Sequence, residues 1–404
     1  MIHIILSCFF VITIAYALKM ERCKYGTPSS PLYLVLISNF GIIILYILTY
    51  KWLGFHSLRW TTVYILLRGI FLFAIISLLY TSFKNTYKLI RKKKLKYINE
   101  TVGYFCKIVS ILTIIYMLYR MTQLGLYNIM NNDDIASSFG GIGVGGHVLV
   151  LQTFLLAHIL GRKFEFKNLP IIVLLFFCLF LYNVKAWIII PCLIGWFIHR
   201  DLYKRKLNPI WLIIIPLIVF AIFTISYFIS LGWDYDNMPY IWAHFCKYIY
   251  AGIGGLNEAV IQDFPVGKTP FVGFPSFINL LFSIHDKQWY QFDHMVINDL
   301  NGEYTNVLSL FGATYYINGP IIGSIYIIII AVISYVLYNF RIKTNNYWYY
   351  LAYYMWASGL ILSFFSNYYK LLNTWELTFY AFLAGLLYSI SGKRNRNLIK
   401  HRNI

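Results

Sequence analysis

The chain has 404 residues, 59% of them hydrophobic and 12% charged, with a formal net charge of +19. Soluble domains carry about 25% charged residues, so composition and a mean hydropathy of +0.64 exclude a soluble globular or disordered protein. Six cysteines without a C-x-x-C or any paired spacing indicate neither a disulfide framework nor a zinc site.

Apolar runs of about 20 residues are long enough to cross a bilayer. They predict an all-α polytopic membrane protein of eleven spans: 2-18, 32-50, 60-81, 103-122, 142-160, 169-184, 186-199, 209-231, 318-340, 347-367 and 374-391. The first run ends in Ala15-Tyr16-Ala17, a small-x-small triplet like a signal-peptidase site. No Lys or Arg precedes it, and it reads as a retained span. The third run carries Arg68 well inside the bilayer, where a cation is costly unless it pairs or lines a wet cavity. Arg68 therefore reads either as a ligand for an anion such as a lipid phosphate or as one half of a structural pair. Lys107, near the cytoplasmic end of the fourth run, can snorkel. Arg120 lies at the outer end of that run. Gly141, Gly143 and Gly146 match G-x-G-x-x-G. That motif needs a preceding strand, and here it opens a membrane span, so close helix packing or a hinge explains it better. His147 and His158 share the fifth run and read as packed or hydrogen-bonded side chains rather than a ligand pair. The sixth and seventh runs form a tight hairpin around Asn183, Val184 and Lys185.

Basic residues fix an orientation. With the C-terminus in the cytoplasm, 24 of the 34 Lys and Arg residues fall in cytoplasmic segments and 8 in external ones. This is a strong positive-inside bias, and it places the N-terminus outside. The run Arg91-Lys92-Lys93-Lys94 then faces anionic headgroups rather than nucleic acid. The chain is read as one membrane domain over 1-404.

Residues 232-302 form the one long polar stretch and are predicted to be a large external loop. It carries Asp234, Asp236, His244, Lys247, Glu258, Asp263, Lys268, His285, Asp286, Asp293, His294 and Asp299 among Trp and Tyr residues. Long loops held by a rigid scaffold are where recognition and chemistry concentrate. Within it, Gly252, Gly254 and Gly255 read as a turn. Asp234-Tyr235-Asp236 matches a D-x-D, a triplet short enough to arise by chance, and no metal site is assigned.

Several segments resemble one family. They are Gly302-Glu303-Tyr304-Thr305-Asn306-Val307, Phe311-Gly312-Ala313-Thr314-Tyr315-Tyr316 and Gly319-Pro320-Ile321-Ile322-Gly323. Tyr248-Ile249-Tyr250-Ala251-Gly252 with Leu256-Asn257, and Gly140-Gly141-Ile142-Gly143, add to them. Together with the span layout they are similar to oligosaccharide repeat-unit polymerases, the O-antigen and capsule polymerases of bacterial envelopes. The resemblance implies a C-type glycosyltransferase-like membrane fold in the bacterial inner (plasma) membrane. It implies donor and acceptor that are both undecaprenyl-diphosphate-linked oligosaccharides, no cofactor, and as partners membrane lipids and a chain-length regulator protein. The growing chain would move onto the new repeat unit at the outer face, releasing undecaprenyl diphosphate.

That reaction sets physical requirements. Fixed cations stabilise the departing diphosphate, and Arg68, Arg120, Lys247 and Lys268 are the candidates. The attacking hydroxyl needs a base within hydrogen-bond reach, and His244, His294, Asp293, Glu303 and Glu258 are the candidates. Trp233, Tyr240, Trp242 and Trp289 can stack on sugars, although an interfacial belt explains most such aromatics. Some polymerases of this kind carry an Arg followed eleven residues later by Gly in their external loops. Here His244 and Gly255 have that spacing, with His in place of Arg. An O-antigen ligase has a similar layout with a different acceptor. A lipid-linked oligosaccharide flippase would need short loops and two related halves, which the long polar stretch argues against.

Overall fold

A computed structural model describes residues 2–26, 29–82, 100–124, 144–182, 186–203, 217, 219–225, 227–228, 234–267, 275, 278, 295–298, 303–344 and 346–402. In chain order these hold α1 (Ile2–Tyr25), α2 (Pro31–Leu53), α3 (Trp60–Ser82), α4 (Glu100–Leu124), α5 (Val144–Leu160), α6 (Leu169–Leu181), α7 (Ala186–Tyr203) and α8 (Met238–Ile261). They continue with β1 (Met295–Asn298), β2 (Glu303–Thr305), α9 (Leu310–Asn318), α10 (Pro320–Lys343), α11 (Tyr347–Ile361) and α12 (Leu372–Arg402). The described residues are thus helical, with one small antiparallel pair of strands. Among the described residues, four helical stretches are long and apolar enough to cross a membrane: Pro31–Leu53, Trp60–Ser82, Phe105–Gln123 and Pro320–Lys343. The apolar helices at α5 and α6 are shorter. The sixth and seventh runs fall on the separate helices α6 and α7, and residues 183-185 of the expected hairpin lie outside the described residues. The run 209-231 lies largely outside them too.

The long helices start and stop where local chemistry dictates. Pro31 opens α2, where its missing N–H and fixed φ are no cost. Gly54, at φ 77°, closes it by donating its N–H to Tyr50 O; only glycine adopts that conformation without penalty. The Ser309 hydroxyl caps α9 by accepting from Gly312 N at 3.2 Å. Gly319 then turns the chain into Pro320 at the start of α10.

Contacts within the chain group into two compact units. The first comprises Met1–Arg91, Trp242–Lys343 and Gly359–Trp375. In it α1 packs on α3, and α10 packs on α3, α9 and α2. Leu32, Ile65, Phe73, Phe311 and Tyr335 are fully buried. One buried carboxylate ties four elements together. Glu21 of α1 accepts hydrogen bonds from Ser30 before α2, from Ser77 of α3 at 2.8 Å, and from Tyr335 of α10. A buried carboxylate is tolerable only when its lone pairs are satisfied in this way.

The second unit comprises Lys92–Ile241, Thr344–Ser358 and Glu376–Ile404. Here α5 packs on α4, α6 and α7. His158 of α5 stacks on Trp348 with ring centroids 5.4 Å apart. His147 pairs through Nδ1 with Glu376 Oε1 at 2.7 Å. Both histidines are therefore packed or hydrogen-bonded, as their spacing suggested. Asn346 Nδ2 donates to Gly385 O at 2.8 Å.

The polar stretch 232-302 carries regular structure in what is described of it. It contains the 24-residue helix α8, and β1 pairs antiparallel with β2, with Met295 opposite Thr305 and a bulge between Val296 and Asn298. Gly252, Gly254 and Gly255, expected to mark a turn, lie inside α8.

Candidate active site

Helix α8 owes its place to both its pattern and its glycines. Ile241, Phe245, Ile253 and Leu256 are buried and recur at helical spacing. Glycine in a helix interior costs about 1 kcal/mol relative to alanine. What offsets it here is close approach. A Cβ on Gly252 would lie 2.2 Å from Phe364 O and 2.3 Å from Phe365 O, and one on Gly255 would lie 2.3 Å from Val307 O. The backbone of these segments lies directly against the helix, and Ser309 N donates to Gly252 O at 2.9 Å. This seating aims Asn257 and Glu258, near the C-terminal end of α8, at the connection between α2 and α3.

Asn257 binds that connection at three points. Its Oδ1 accepts from Arg59 N at 2.7 Å and from Thr62 Oγ1 at 2.9 Å, and its Nδ2 donates to Ser57 O at 3.1 Å. Glu258, 5% exposed, pairs through Oε2 with His56 Nδ1 at 2.9 Å and accepts from Gln262 Nε2 through Oε1 at 2.8 Å. The backbone of His56 is fixed on two sides. Its carbonyl accepts from Tyr46 Oη at 2.8 Å and its N–H donates to Ile297 O of β1 at 3.3 Å. Asn298 completes the clamp by donating Nδ2 to Leu53 O at 2.6 Å and bridging to Phe55.

The result is a carboxylate–imidazole pair of unequal exposure. The Glu258 side chain is 7% exposed and the His56 side chain 21%. A buried carboxylate orients the ring, and the ring reaches the surface. This is the arrangement in which a histidine held by an acid can take a proton from an attacking group.

The other expected residues distribute around this pair unevenly. Arg68 lies six residues beyond Thr62 on α3, about 9 Å along the helix. Its Nη2 donates to Pro320 O and, at 2.7 Å, to Ser324 Oγ. Its guanidinium lies 5.5 Å from the centroid of the Tyr315 ring. Arg68 therefore has structural partners at the start of α10 and is still partly exposed. His244 and Lys247 share α8 with Glu258 but sit far from it. Fourteen and eleven residues correspond to about 21 and 16 Å along a helix. His244 packs on Tyr248, with ring centroids 5.4 Å apart, and Lys247 lies 4.8 Å from the centroid of the Tyr304 ring. Glu303 opens β2 opposite Asn298. Arg120 belongs to α4 in the second unit. Asp293, His294 and Lys268 lie outside the described residues.

Asp234 accepts from Asp236 N at 3.0 Å, so in the D-x-D these two residues form a turn that starts a short helical segment. Among the described residues no group of three His, Cys, Asp or Glu side chains is placed to hold a metal ion.

His56 is the residue that sequence reasoning did not single out. It stands alone in a short connection 202 positions from its partner, and no local motif marks it. The sole hint was that a polar connection between two long apolar helices carries His56, Ser57 and Arg59 together.

No curated protein and no solved structure matches the chain. A family model matches residues 54–395, most of the chain, and the protein belongs to the family of unknown function DUF6337.

Proposed function

We propose that this protein is a membrane glycosyltransferase that polymerises undecaprenyl-diphosphate-linked oligosaccharide repeat units into O-antigen or capsular polysaccharide. The reading takes the chain as a multi-pass protein of the bacterial inner membrane, with eleven spans, the N-terminus outside and the C-terminus inside. The observation that carries it is the Glu258–His56 pair, which joins the long polar stretch of an apolar chain to the connection between α2 and α3.

In this reading the acceptor sugar hydroxyl gives its proton to His56 as its oxygen bonds to the anomeric carbon of the donor. Glu258 holds the ring and stabilises the imidazolium that forms. The bond from the anomeric carbon to the diphosphate oxygen breaks, and the diphosphate leaves with the electron pair. That leaving group is already ionised, so fixed cations are the chief requirement on its side. Arg68 supports this role through its partial exposure on the same helix that carries Thr62, and Arg59 through its place on the connection bound by Asn257.

The test is a gel of surface polysaccharide from a deletion strain of the native host, complemented with wild type or variants. Core bearing a single repeat unit in the deletion, with the ladder restored by wild type, supports polymerisation. Bare core with accumulated lipid-linked chains points to a ligase. Bare core with unpolymerised units held inside points to a flippase, and either of the last two results overturns the proposal.

A further inference from the structure

The second unit contains a basic pocket that plays no part in the reading above. It lies where α4, the end of α5 and the start of α6 meet, and it is lined by Cys106, Lys107, His158, Arg162, Lys163 and Asn168 among others. Charge placement assigns this end of the helices to the cytoplasmic side.

One of its buried groups lacks a hydrogen-bond partner among the described residues. His158 is 1% exposed, and neither ring nitrogen has a hydrogen-bond partner among the described residues. Asn168 stands at the N-cap of α6 yet makes no side-chain cap bond. Buried polar groups in native proteins are paired in the great majority of cases. A neutral imidazole flat against Trp348 can still offer one N–H to an acceptor from outside.

The surroundings favour an anion as that acceptor. Lys107, Arg162 and Lys163 line the same pocket. Among the described lining residues the one carboxylate is Glu165, and it is engaged by Lys167 at 3.1 Å. The Glu165 carboxyl is held below its ordinary range by Lys167 first, and further by Lys107 and Arg162. The N-terminal end of α6, a 13-residue helix, adds its positive dipole end. The interior measures about 20 Å³. A water needs roughly 10–15 Å³ of such space, so the interior admits one oxygen-sized group, with the rest of the ligand at the mouth.

We propose that this pocket binds a phosphate group, with one non-bridging oxygen directed at His158 and its charge met by Lys107, Arg162 and Lys163. A pocket between membrane helices at the cytoplasmic side suits the headgroup of an anionic phospholipid. Free phosphate shares the same chemistry, and the experiment separates the two.

The full chain, purified in detergent, is titrated with phosphatidylglycerol, phosphatidylcholine or inorganic phosphate and examined by native mass spectrometry. The expected result is one retained phosphatidylglycerol per chain, preferred about tenfold or more over phosphatidylcholine. The double variant Lys107→Gln/Arg162→Gln and the variant His158→Phe, which keeps the ring stack, lose that preference. Arg162→Lys retains most of it. Lys19→Gln, an exposed basic residue of the first unit, leaves it unchanged. Binding of inorganic phosphate with the same variant dependence but no lipid preference supports the site with a soluble ligand. An unchanged preference in the double variant and in His158→Phe overturns the proposal, as does an equal loss in Lys19→Gln.

Discussion

Replacing Glu258 separates chemistry from architecture. In Glu258→Gln the side chain keeps its shape. Both of its partners can adapt, because His56 can change tautomer and Gln262 can turn its amide over. The folding cost should stay below about 1 kcal/mol. Glu258→Ala instead removes the acceptor of two hydrogen bonds, at 2.9 and 2.8 Å, in a site where the carboxylate is 7% exposed. Bonds to a charged group contribute about 1.5–3 kcal/mol each, so the alanine variant should lose roughly 3–6 kcal/mol. If Glu258 holds His56 as a general base, the glutamine variant should lose about 10²–10⁴-fold in polymerisation rate while folding normally. The assay is initial polymerisation of lipid-linked repeat units in membrane vesicles, beside thermal unfolding of the purified variants. A glutamine variant that polymerises at the wild-type rate refutes the catalytic reading. One that is inactive and as unstable as the alanine variant reduces the pair to a structural clamp.

Three further substitutions probe the frame. Arg68→Ala should cost about 1 kcal/mol in stability, because Pro320 O keeps the Ser324 hydroxyl, at 2.7 Å, as its donor. A polymer ladder lost at normal expression would then assign Arg68 to the leaving group, and an unchanged ladder would leave it as a helix tie. Gly252→Ala places a methyl 2.2 Å from Phe364 O and 2.3 Å from Phe365 O; backbone must move, and a loss of about 1–3 kcal/mol is expected in thermal unfolding. Tyr335→Phe removes one of the three donors to Glu21 and should lower stability by about 1–3 kcal/mol; no change in unfolding temperature would mean that Ser30 and Ser77 suffice.

The sequence made the long apolar helices legible because the bilayer imposes a length. Pro31–Leu53, Trp60–Ser82 and Pro320–Lys343 fall within a few residues of the predicted spans, and Gly54 and Pro320 mark ends that turn chemistry alone would place. Helix α8 was hidden for a physical reason. Three glycines in four positions read as a turn, since their local penalty is real. The gain that reverses it lies in segments 50 and more residues away, whose backbone presses against Gly252 and Gly255. Ile241, Phe245, Ile253 and Leu256 carried a helical period through the same stretch, so periodicity was the better guide there than composition.

The same contrast explains why half of the candidate pair was visible. Glu258 stood out as an acid in the polar stretch, whereas His56 became meaningful only once α8 was seated. Two features locate that pair: Asn257, which binds Ser57, Arg59 and Thr62, and β1, which meets His56 N through Ile297 O. His244, the more conspicuous histidine by sequence, sits about 21 Å along the helix from Glu258 and cannot share a proton with it directly. A base-deficient phenotype that followed His244 while sparing His56 would therefore move the chemistry to the opposite end of α8.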